Sequence, residues 1–318
     1  MTVAAVPRPH ILLTGAYPEW DMVPLEQAYE VHRLWATEQP DAWLAEHGAS
    51  IRALATRGEL GASPALIQAL PALELIACYG VGTDAIALPA ARSRGIRVTN
   101  TPDVLSGDVA DLAVGLALAL LRRIPAADAF VRRGAWAAGP MELVTRLYGK
   151  RVGLVGLGRI GATLARRLSG FDVELGYHSR TVRPASALAH WPDLTALAAW
   201  ADVLIVTLSG GPATRGLIDA AVLHALGPNG WLVNVSRGST VDEDALVQAL
   251  QSRSVAGAAL DVFCNEPHLD ARLLTLDNVV LSPHHASGTV ETRRAMGQLV
   301  RDNLAAHFAG RPLLTPVD

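Results

Sequence analysis

A glycine-rich turn between a short apolar strand and a helix constrains the fold more than any other feature. The segment Lys150 to Gly161 reads KRVGLVGLGRIG, in which Val152 to Val155 predict a strand and the residues after Gly161 have a helical apolar period. In a Gly-x-Gly-x-x-Gly turn, the first glycine makes the tight turn, the second lets backbone approach a pyrophosphate, and the third lets helix pack on strand. The N–H groups at the helix start attract phosphates. This context predicts a dinucleotide-binding unit; the alternative is a plain glycine-rich connection.

The composition suits an α/β protein of two domains. The chain has 318 residues, of which 50% are hydrophobic and 18% are charged, a balance that fits parallel sheets covered on both faces. Its net charge of −3 provides no basic surface for nucleic acid. Two cysteines, Cys78 and Cys264, are too few for a disulfide framework or a cysteine-rich metal site. This cysteine usage agrees with a reducing compartment.

The sequence shows no targeting or membrane segment. Its first ten residues, MTVAAVPRPH, are broken by two prolines and have no apolar core of signal-peptide length. The longest uncharged helical run, Leu112 to Leu121, is too short to span a bilayer. We therefore expect a soluble cytoplasmic protein with no nucleic acid, membrane or metal among its partners.

Short β-rich runs alternate with helical runs along the chain, which predicts parallel βαβ units. Residues 1–103 form a small flavodoxin-like series, with strands expected at His10 to Thr14, Tyr29 to Trp35, Ile51 to Ala55, Leu73 to Cys78 and Ile96 to Thr99. A second, doubly wound series begins at the glycine turn, with later strands at Val173 to Tyr177, Val203 to Thr207, Trp231 to Asn234, Val255 to Leu260 and Val279 to Leu281. The last helix has no strand of its own and is expected to return to the first domain. The predicted domains are therefore residues 1–103 with 284–318, and residues 104–283.

The end of the second strand of this series, which is the first strand after the glycine turn, predicts which cofactor is bound. In dinucleotide folds an Asp or Glu usually stands there and binds the ribose 2′-OH of NAD. Here the strand ends in Ser179, Arg180 and Thr181, with no acid at its tip. An arginine and two hydroxyls can bind a 2′-phosphate, so we predict NADP, with NAD less preferred. Alternatively Arg180 is a solvated loop residue, and Arg183 could share the role.

Polar segments follow four later strands of the same series. Ser209 to Thr214 is either a ligand-binding loop or a flexible turn. Three others carry more chemistry, at Asn234 to Gly238, Leu260 to Pro267 and Leu281 to Thr289. Each segment has an ordinary explanation when taken singly. The arginine could belong to a surface ion pair, the glutamate before proline to a simple turn, and the histidine after proline could be a packing residue. Their shared position at the carboxyl ends of one sheet favours a joint site.

These motifs together resemble the D-2-hydroxyacid dehydrogenases. The resemblance is carried, in chain order, by CYGVGTD, NTPD, GLGRIG, NVSRG, DVFCNEP and SPHHASGT. The SGDVAD segment and the Ser179-Arg180 pair are most similar to the NADPH-dependent glyoxylate/hydroxypyruvate reductases of that family. The resemblance implies a flavodoxin-like substrate-binding domain with an inserted dinucleotide-binding domain, both Rossmann-like. It also implies NADPH-dependent reduction of a small 2-keto acid to the D-2-hydroxy acid.

The resemblance assigns roles residue by residue. His284 matches the acid/base, Glu266 the carboxylate that pairs with it, and Arg237 the group that anchors the substrate carboxylate. Val81 and Gly82 match a loop whose N–H groups bind that carboxylate, and His285 is not expected to be catalytic. Histidine suits the proton donor because its ordinary pKa is near neutral. The implied cofactor contacts are Gly156, Leu157, Gly158, Arg159, Ile160, Ser179, Arg180, Thr181, Leu208, Ser209, Thr214, Val235 and Asp261.

Family members typically pair as homodimers, which implies an interface along residues 106–148. The helix from Ser106 to Leu121 is apolar on more than one face, although a buried core helix in a monomer would look the same. Two rival functions remain. One is a reductase of larger 2-keto acids, such as a keto sugar acid or an aromatic pyruvate, which would depend on Arg57, Tyr79 and the Met141 to Tyr148 segment. The other is a non-enzymatic, corepressor-like dinucleotide sensor.

Overall fold

A computed structural model describes residues 7–184 and 186–317. The chain forms two compact units, residues 1–105 with 289–318, and residues 106–288. The sequence-based boundaries, after residues 103 and 283, put His284 in the first unit, whereas the structure has it in the second. The reason is local: the backbone N–H of His284 donates to the carbonyl of Asp261, so the loop before the last helix stays with the second sheet.

The elements alternate as expected. In the first 105 residues they are β1 (His10–Leu13), α1 (Glu19–Ala28), β2 (Glu30–Arg33), α2 (Pro40–His47), β3 (Ile51–Arg57), α3 (Pro64–Gln68), β4 (Leu75–Tyr79), α4 (Leu88–Ser93) and β5 (Arg97–Thr99). The second unit contains α5 (Ser106–Leu121), α6 (Ile124–Arg132), β6 (Arg151–Val155), α7 (Arg159–Leu168), β7 (Glu174–His178), β8 (Ala189–His190), α8 (Leu194–Trp200), β9 (Val203–Val206), α9 (Ala220–Leu226), β10 (Trp231–Asn234), α10 (Glu243–Gln251), β11 (Gly257–Leu260) and β12 (Val279–Leu281). The last helix is α11 (Val290–Phe308).

The first unit is built on a five-stranded parallel sheet with strand order β2-β1-β3-β4-β5. This is the flavodoxin-like order, as predicted. All five residues of β4 are buried, as expected of an apolar strand in a sheet covered on both faces. The last helix, α11, packs on β4 and α1, and its Thr289 cap accepts a hydrogen bond from the N–H of Thr292. Residues from both ends of the chain therefore build this unit.

The second unit has a seven-stranded parallel sheet with strand order β12-β11-β10-β9-β6-β7-β8. It is the doubly wound dinucleotide order with β12 added at one edge. β6 lies between β7 and β9, which is where the strand order reverses and where ligands bind in such sheets. Each strand predicted from the sequence is present, with ends that differ by at most two residues. β8 was missed, because two residues are too short for a readable alternation.

The apolar helix α5 belongs to the core of the second unit. It packs against α7, β10, β11 and β12, and nine of its residues are buried. It ends at Leu121, and Arg123, two residues further on, has a left-handed backbone with φ +50°. α6 follows, with Pro125 in its first turn and no buried residue. Among the described residues, no helix has the length and apolarity needed to cross a bilayer.

Candidate active site

The glycine turn has the geometry that a dinucleotide needs. Gly156 follows β6 with φ +103°, and its N–H donates to the carbonyl of His178 on β7 at 2.8 Å. A Cβ on Gly161 would lie 2.2 Å from the carbonyl oxygen of Gly156, so the helix approaches the turn as closely as backbone allows. Around Gly158 a Cβ would meet nothing within 4 Å, which leaves open space above the turn. The turn is therefore a cradle that side chains would fill and a pyrophosphate fits.

The start of α7 provides the donors of this cradle. Its N-cap is Gly158, and no side chain caps the helix. The N–H groups of the first turn of α7, which begins at Arg159 and includes Ile160, lie directly after Leu157 at the positively polarised end of the helix. Such a start attracts phosphate through its N–H groups and its dipole. Thr207, after β9, holds the turn from below, because its hydroxyl donates to the carbonyl of Gly156 at 2.8 Å.

Ser179, Arg180 and Thr181 follow β7, the strand beside the glycine turn. The Ser179 hydroxyl donates to the carbonyl of Thr181 at 2.6 Å, and His190 Nε2 lies 3.0 Å from the carbonyl oxygen of Ser179. Arg180, Thr181 and Arg183 are exposed. The loop presents hydroxyl and guanidinium groups, and no acid, at the position where the second ribose of a dinucleotide is bound.

The loop after β9 is closed by its own hydrogen bonds. The hydroxyl of Thr214 donates to the carbonyls of Ser209 and Gly211, at 2.8 and 3.2 Å. The carbonyl of Leu208 accepts the hydroxyl of Ser236 at 2.6 Å, which ties this loop to the end of the next strand. Val235 directly follows β10 there, and its N–H donates a hydrogen bond to the carbonyl of Val206. The loop is thus ordered at the carboxyl edge of the sheet.

His284 and Glu266 form the ion pair that the motifs predict. His284 Nδ1 lies 2.6 Å from Glu266 Oε2, and Oε1 of the same carboxylate accepts the N–H of Phe263 at 2.9 Å. Burial alone would raise the pKa of Glu266, but the hydrogen bonds from His284 and Phe263, with the charges of His284 and Arg237, hold that pKa below its ordinary value. An ionised Glu266 can only accept, so Nδ1 of His284 carries a proton. Nε2 is the ring nitrogen that Glu266 does not hold.

Asp261 fixes the loop that carries His284. It is fully buried at the end of β11, and its two carboxylate oxygens accept the N–H groups of His285 and Ala286, at 2.8 and 3.0 Å. Its carbonyl accepts the N–H of His284 at 2.7 Å. These bonds hold His284 at φ +51°, a backbone conformation that costs a side chain about 1–3 kcal/mol. From the sequence Asp261 was assigned only to cofactor contacts, and no pattern there indicated this anchoring role.

Arg237 lies in a loop packed on the glutamate turn. The carbonyl of Arg237 accepts the amide of Asn234 at 3.0 Å and the hydroxyl of Thr240 at 2.6 Å. A Cβ on the next residue, Gly238, would lie 1.9 Å from the carbonyl carbon of Phe263, so the two loops are in backbone contact. This contact places the Arg237 loop beside the turn that contains Glu266, the partner of His284, in the second unit.

Two neighbours of these residues have ordinary surroundings. The ring of His285 covers Gly288, where a Cβ would lie 2.3 Å from the ring. The pKa of the Cys264 thiol is raised to about 11, first by burial and then by the charge of Glu243. A thiol with such a pKa is almost wholly protonated at neutral pH and is a poor nucleophile.

In the first unit, side-chain and backbone bonds hold the Val81-Gly82 loop after β4. The amide of Asn100 donates to the carbonyl of Val81 at 2.8 Å, and the N–H of Thr101 donates to the carbonyl of Gly80 at 2.9 Å. Within the described part of the chain, the N–H groups of Val81 and Gly82 donate to no backbone carbonyl. The loop is thus fixed through its carbonyls and keeps two adjacent donors.

Comparison with known proteins identifies the family. Residues 114–286 match the model of the D-isomer specific 2-hydroxyacid dehydrogenase NAD-binding domain. The chain belongs to the D-isomer specific 2-hydroxyacid dehydrogenase family. Members of this family are NAD(P)-dependent oxidoreductases, and so is this protein.

Relatives within this dehydrogenase family have several substrates in their names. A glyoxylate/hydroxypyruvate reductase of Arabidopsis thaliana and a hydroxyphenylpyruvate reductase of Plectranthus scutellarioides are each 47% identical over 293 residues, which cover 92% of this chain and 94% of theirs. A 2-ketogluconate reductase of Gluconobacter oxydans is 46% identical over 293 residues, 92% of this chain and 93% of its own. The crystal structure of an NADPH-dependent glyoxylate/hydroxypyruvate reductase from Sinorhizobium meliloti, in complex with NADP and malonate, superposes with a TM-score of 0.91 at 46% identity, covering 98% of this chain and 97% of that one.

Proposed function

We propose that this dehydrogenase reduces glyoxylate and hydroxypyruvate with NADPH, giving the D-2-hydroxy acid from the latter. The observation that carries the proposal is the His284–Glu266 pair, whose Nδ1 and Oε2 atoms lie 2.6 Å apart, beside the Arg237 loop and on the sheet that also carries the dinucleotide cradle. The S. meliloti reductase, with NADP bound, has the same fold.

When bound, NADPH would supply a hydride to the keto carbon. Residues of this chain donate the proton and stabilise the negative charge on the keto oxygen. As negative charge develops on the keto oxygen, Nε2 of His284 donates its proton there. Glu266 keeps the ring oriented through Nδ1 and stabilises its protonated form. Arg237, always charged and forked, binds the substrate carboxylate and stabilises the developing oxyanion. We assign the N–H groups of Val81 and Gly82 to the same carboxylate.

For the preference for NADPH we propose Ser179, Arg180 and Thr181 as the 2′-phosphate contacts, with NAD as the weaker cofactor. The remaining contacts are assigned to the glycine turn and the neighbouring strand ends, at Gly156, Leu157, Gly158, Arg159, Ile160, Leu208, Ser209, Thr214, Val235 and Asp261.

Arg180→Asp places a negative charge where the phosphate would bind, so kcat/KM for NADPH is expected to fall at least tenfold relative to NADH. Equal losses with both cofactors would contradict this assignment, and Arg253→Asp, on an exposed turn after α10, serves as a control for charge alone.

The decisive experiment is loss of 340 nm absorbance when NADPH meets glyoxylate, hydroxypyruvate and graded larger 2-keto acids. Turnover of the two small acids supports the proposal. Turnover confined to a keto sugar acid or an aromatic pyruvate would establish the second candidate, a reductase of larger 2-keto acids. NADPH binding with no turnover of any acid would instead favour the corepressor-like sensor. The presence of Arg237, Glu266 and His284 together argues against that function.

We also propose a cytoplasmic homodimer that pairs through residues 106–148. In this segment Trp136, Leu143 and Tyr148 are 68%, 100% and 56% exposed. Apolar side chains clustered on a surface commonly mark a protein interface. α5 itself is largely used in the core of its own unit, so the residues after it are the better candidates for the contact.

A further inference from the structure

Two side chains on neighbouring strands of the second unit hold the loop that follows β7. Tyr177 is the fourth residue of β7, and its Cα pairs with that of His190 on β8. The two rings are in contact, with centroids 5.1 Å apart and planes at 51° to each other. Tyr177 is 1% exposed and His190 is partly buried, whereas Arg180 in the loop is exposed. The pair is therefore packed into the unit.

His190 fixes the start of the loop. Its Nε2 lies 3.0 Å from the carbonyl oxygen of Ser179. A carbonyl group has no hydrogen to give, so Nε2 carries the proton of this hydrogen bond. Ser179 in turn donates from its hydroxyl to the carbonyl of Thr181, at 2.6 Å. One imidazole thus holds the residue on which the conformation of the following two depends.

Tyr177 fixes the other end of the loop. The backbone N–H of Arg183, six positions along the chain, donates to the phenol oxygen of Tyr177 at 2.9 Å. The tyrosine is itself fixed, because its carbonyl accepts the N–H of Trp191, directly after β8, at 2.7 Å. This arrangement closes the loop onto the strand from which it emerges.

The loop is also set relative to the glycine turn. The carbonyl of His178, the last residue of β7, accepts the N–H of Gly156 at 2.8 Å, and His178 Nδ1 lies 2.9 Å from the carbonyl oxygen of Trp191. The cradle for the pyrophosphate and the start of the loop are thus joined through one residue. A loop that is already ordered loses little conformational freedom when a ligand binds, so the contacts that order it contribute to affinity.

We propose that Tyr177 and His190 are positioning residues for cofactor specificity, which hold the segment from Ser179 to Thr181 in the conformation that binds the 2′-phosphate of NADPH. They act through this segment and not by contact with the cofactor. NADH has no 2′-phosphate, so its binding does not depend on the held conformation. The inference rests on the proposed function, because that proposal assigns the segment to the phosphate.

The test measures the Kd of the full chain for NADPH and for NADH, without substrate, by fluorescence titration. Tyr177→Phe keeps the ring and removes only the oxygen that accepts the Arg183 N–H, and His190→Leu removes the donor to Ser179. Each variant should weaken NADPH binding about three- to tenfold, the usual effect of one lost hydrogen bond, while the Kd for NADH changes less than twofold. Calorimetric titration with 2′,5′-ADP, which carries the phosphate but no nicotinamide, should show the same loss as NADPH.

Tyr17→Phe is the matched control. Tyr17 is a buried tyrosine of the first unit, 6% exposed, whose hydroxyl donates to the carbonyl of Thr56 at 3.0 Å. This variant should leave the Kd for both cofactors unchanged. It separates the loss of any buried phenol from the loss of the one that holds the loop.

Two results would overturn the inference. Equal weakening of NADPH and NADH by the variants at Tyr177 and His190 would show that these residues only support the fold, and unchanged NADPH binding would show that the loop needs neither. The proposed function fails in a different way: if Arg180→Asp left the preference for NADPH unchanged, the segment would not bind the phosphate, and the inference would fall with that assignment. A shift with Arg180→Asp but with neither Tyr177→Phe nor His190→Leu would refute the inference alone.

Discussion

At the scale of single residues, the site distinguishes two adjacent histidines by their surroundings. Nδ1 of His284 is 2.6 Å from the carboxylate of Glu266, which fixes its ring and its tautomer. The ring of His285 instead lies on Gly288, and the backbone N–H of His285 is bound by Asp261. The resemblance already favours His284 over His285 as the acid, and of the two rings it is that of His284 that lies on a carboxylate.

We expect His284→Ala to lower kcat for glyoxylate reduction by about 10²- to 10⁴-fold, the usual contribution of a general acid. The Kd for NADPH, measured by fluorescence titration, should change only a few-fold, since the cradle is formed by other residues. His285→Ala is the matched control and should keep kcat within a few-fold. If His285→Ala were the inactive variant, the proton would have to come from the second histidine.

Among the secondary-structure elements, β6 and α7 are joined by a turn in which the helix backbone approaches the strand end so closely that only glycine, which has no Cβ, fits. Gly161 has no room for a Cβ, which would be 2.2 Å from the Gly156 carbonyl oxygen and 3.0 Å from the Thr207 hydroxyl. A methyl group there would push α7 away from the strand. The helix start would then no longer be aligned with the turn.

Gly161→Ala should therefore weaken NADPH binding and destabilise the protein by about 1–3 kcal/mol, the range for overpacking a tight site. Gly170→Ala, in the turn after α7, is the control, because a Cβ there would meet nothing within 4 Å. Calorimetric titration with NADPH and urea unfolding would measure both effects. Equal behaviour of the two variants would show that the close approach is not required.

In the first unit, α11 is joined to the sheet through a buried histidine. His307 is 7% exposed; its Nε2 lies 2.9 Å from Glu74 Oε2, and its Nδ1 contacts the guanidinium of Arg97. Burial, and then the charge of Arg97, lowers the pKa of His307 below its ordinary value of 6.5, although Glu74 opposes the shift. The pKa of Glu74 is also lowered, mainly by its hydrogen bond from Arg52.

These pKa shifts predict that the folded protein loses stability in acid. The unfolded chain takes up the His307 proton at a higher pH than the folded chain, so stability is full above pH 6.5 and falls as the pH drops toward the folded pKa. Glu74 adds a loss at lower pH, which begins near its ordinary pKa of 4.5 and continues as the pH falls toward its lowered folded pKa. His307→Gln should flatten the decline of Tm between pH 6.5 and 5 in scanning calorimetry. A variant curve parallel to that of the wild type would contradict this origin.

For the molecule as a whole, the proposed dimer depends on an exposed apolar surface of the second unit. Residues 124–148 of the second unit expose large apolar side chains, among them Ile124, Val131 and Trp136 at 52%, 55% and 68%. A dimer would remove this surface from water, with a gain of about 25 cal/mol per Å² of apolar area. This surface supports the proposed homodimer.

Leu143→Asp should convert that dimer to a monomer in light scattering coupled to size exclusion, because Leu143 is fully exposed and its replacement would bury a charge at the interface. Leu274→Asp is a control of the same type, on a side chain that is 65% exposed and lies outside the segment. A wild type that elutes as a monomer at micromolar concentration would refute the dimer.

The sequence alone predicts the two parallel-sheet units and the positions of the strands, and its motifs point to the residues of the candidate site. This was possible because alternation of apolar runs, strand-end polar residues and a glycine turn are local patterns. It could not reveal β8, which has two residues, nor the anchoring by Asp261 of a loop that starts 21 positions further along the chain, at Ser282.

The structure adds which unit contains His284 and which nitrogen of that ring is held by Glu266. Each of these depends on contacts between segments that are distant in sequence. Such contacts are set by how strands pair and loops pack, which no local pattern of residues specifies.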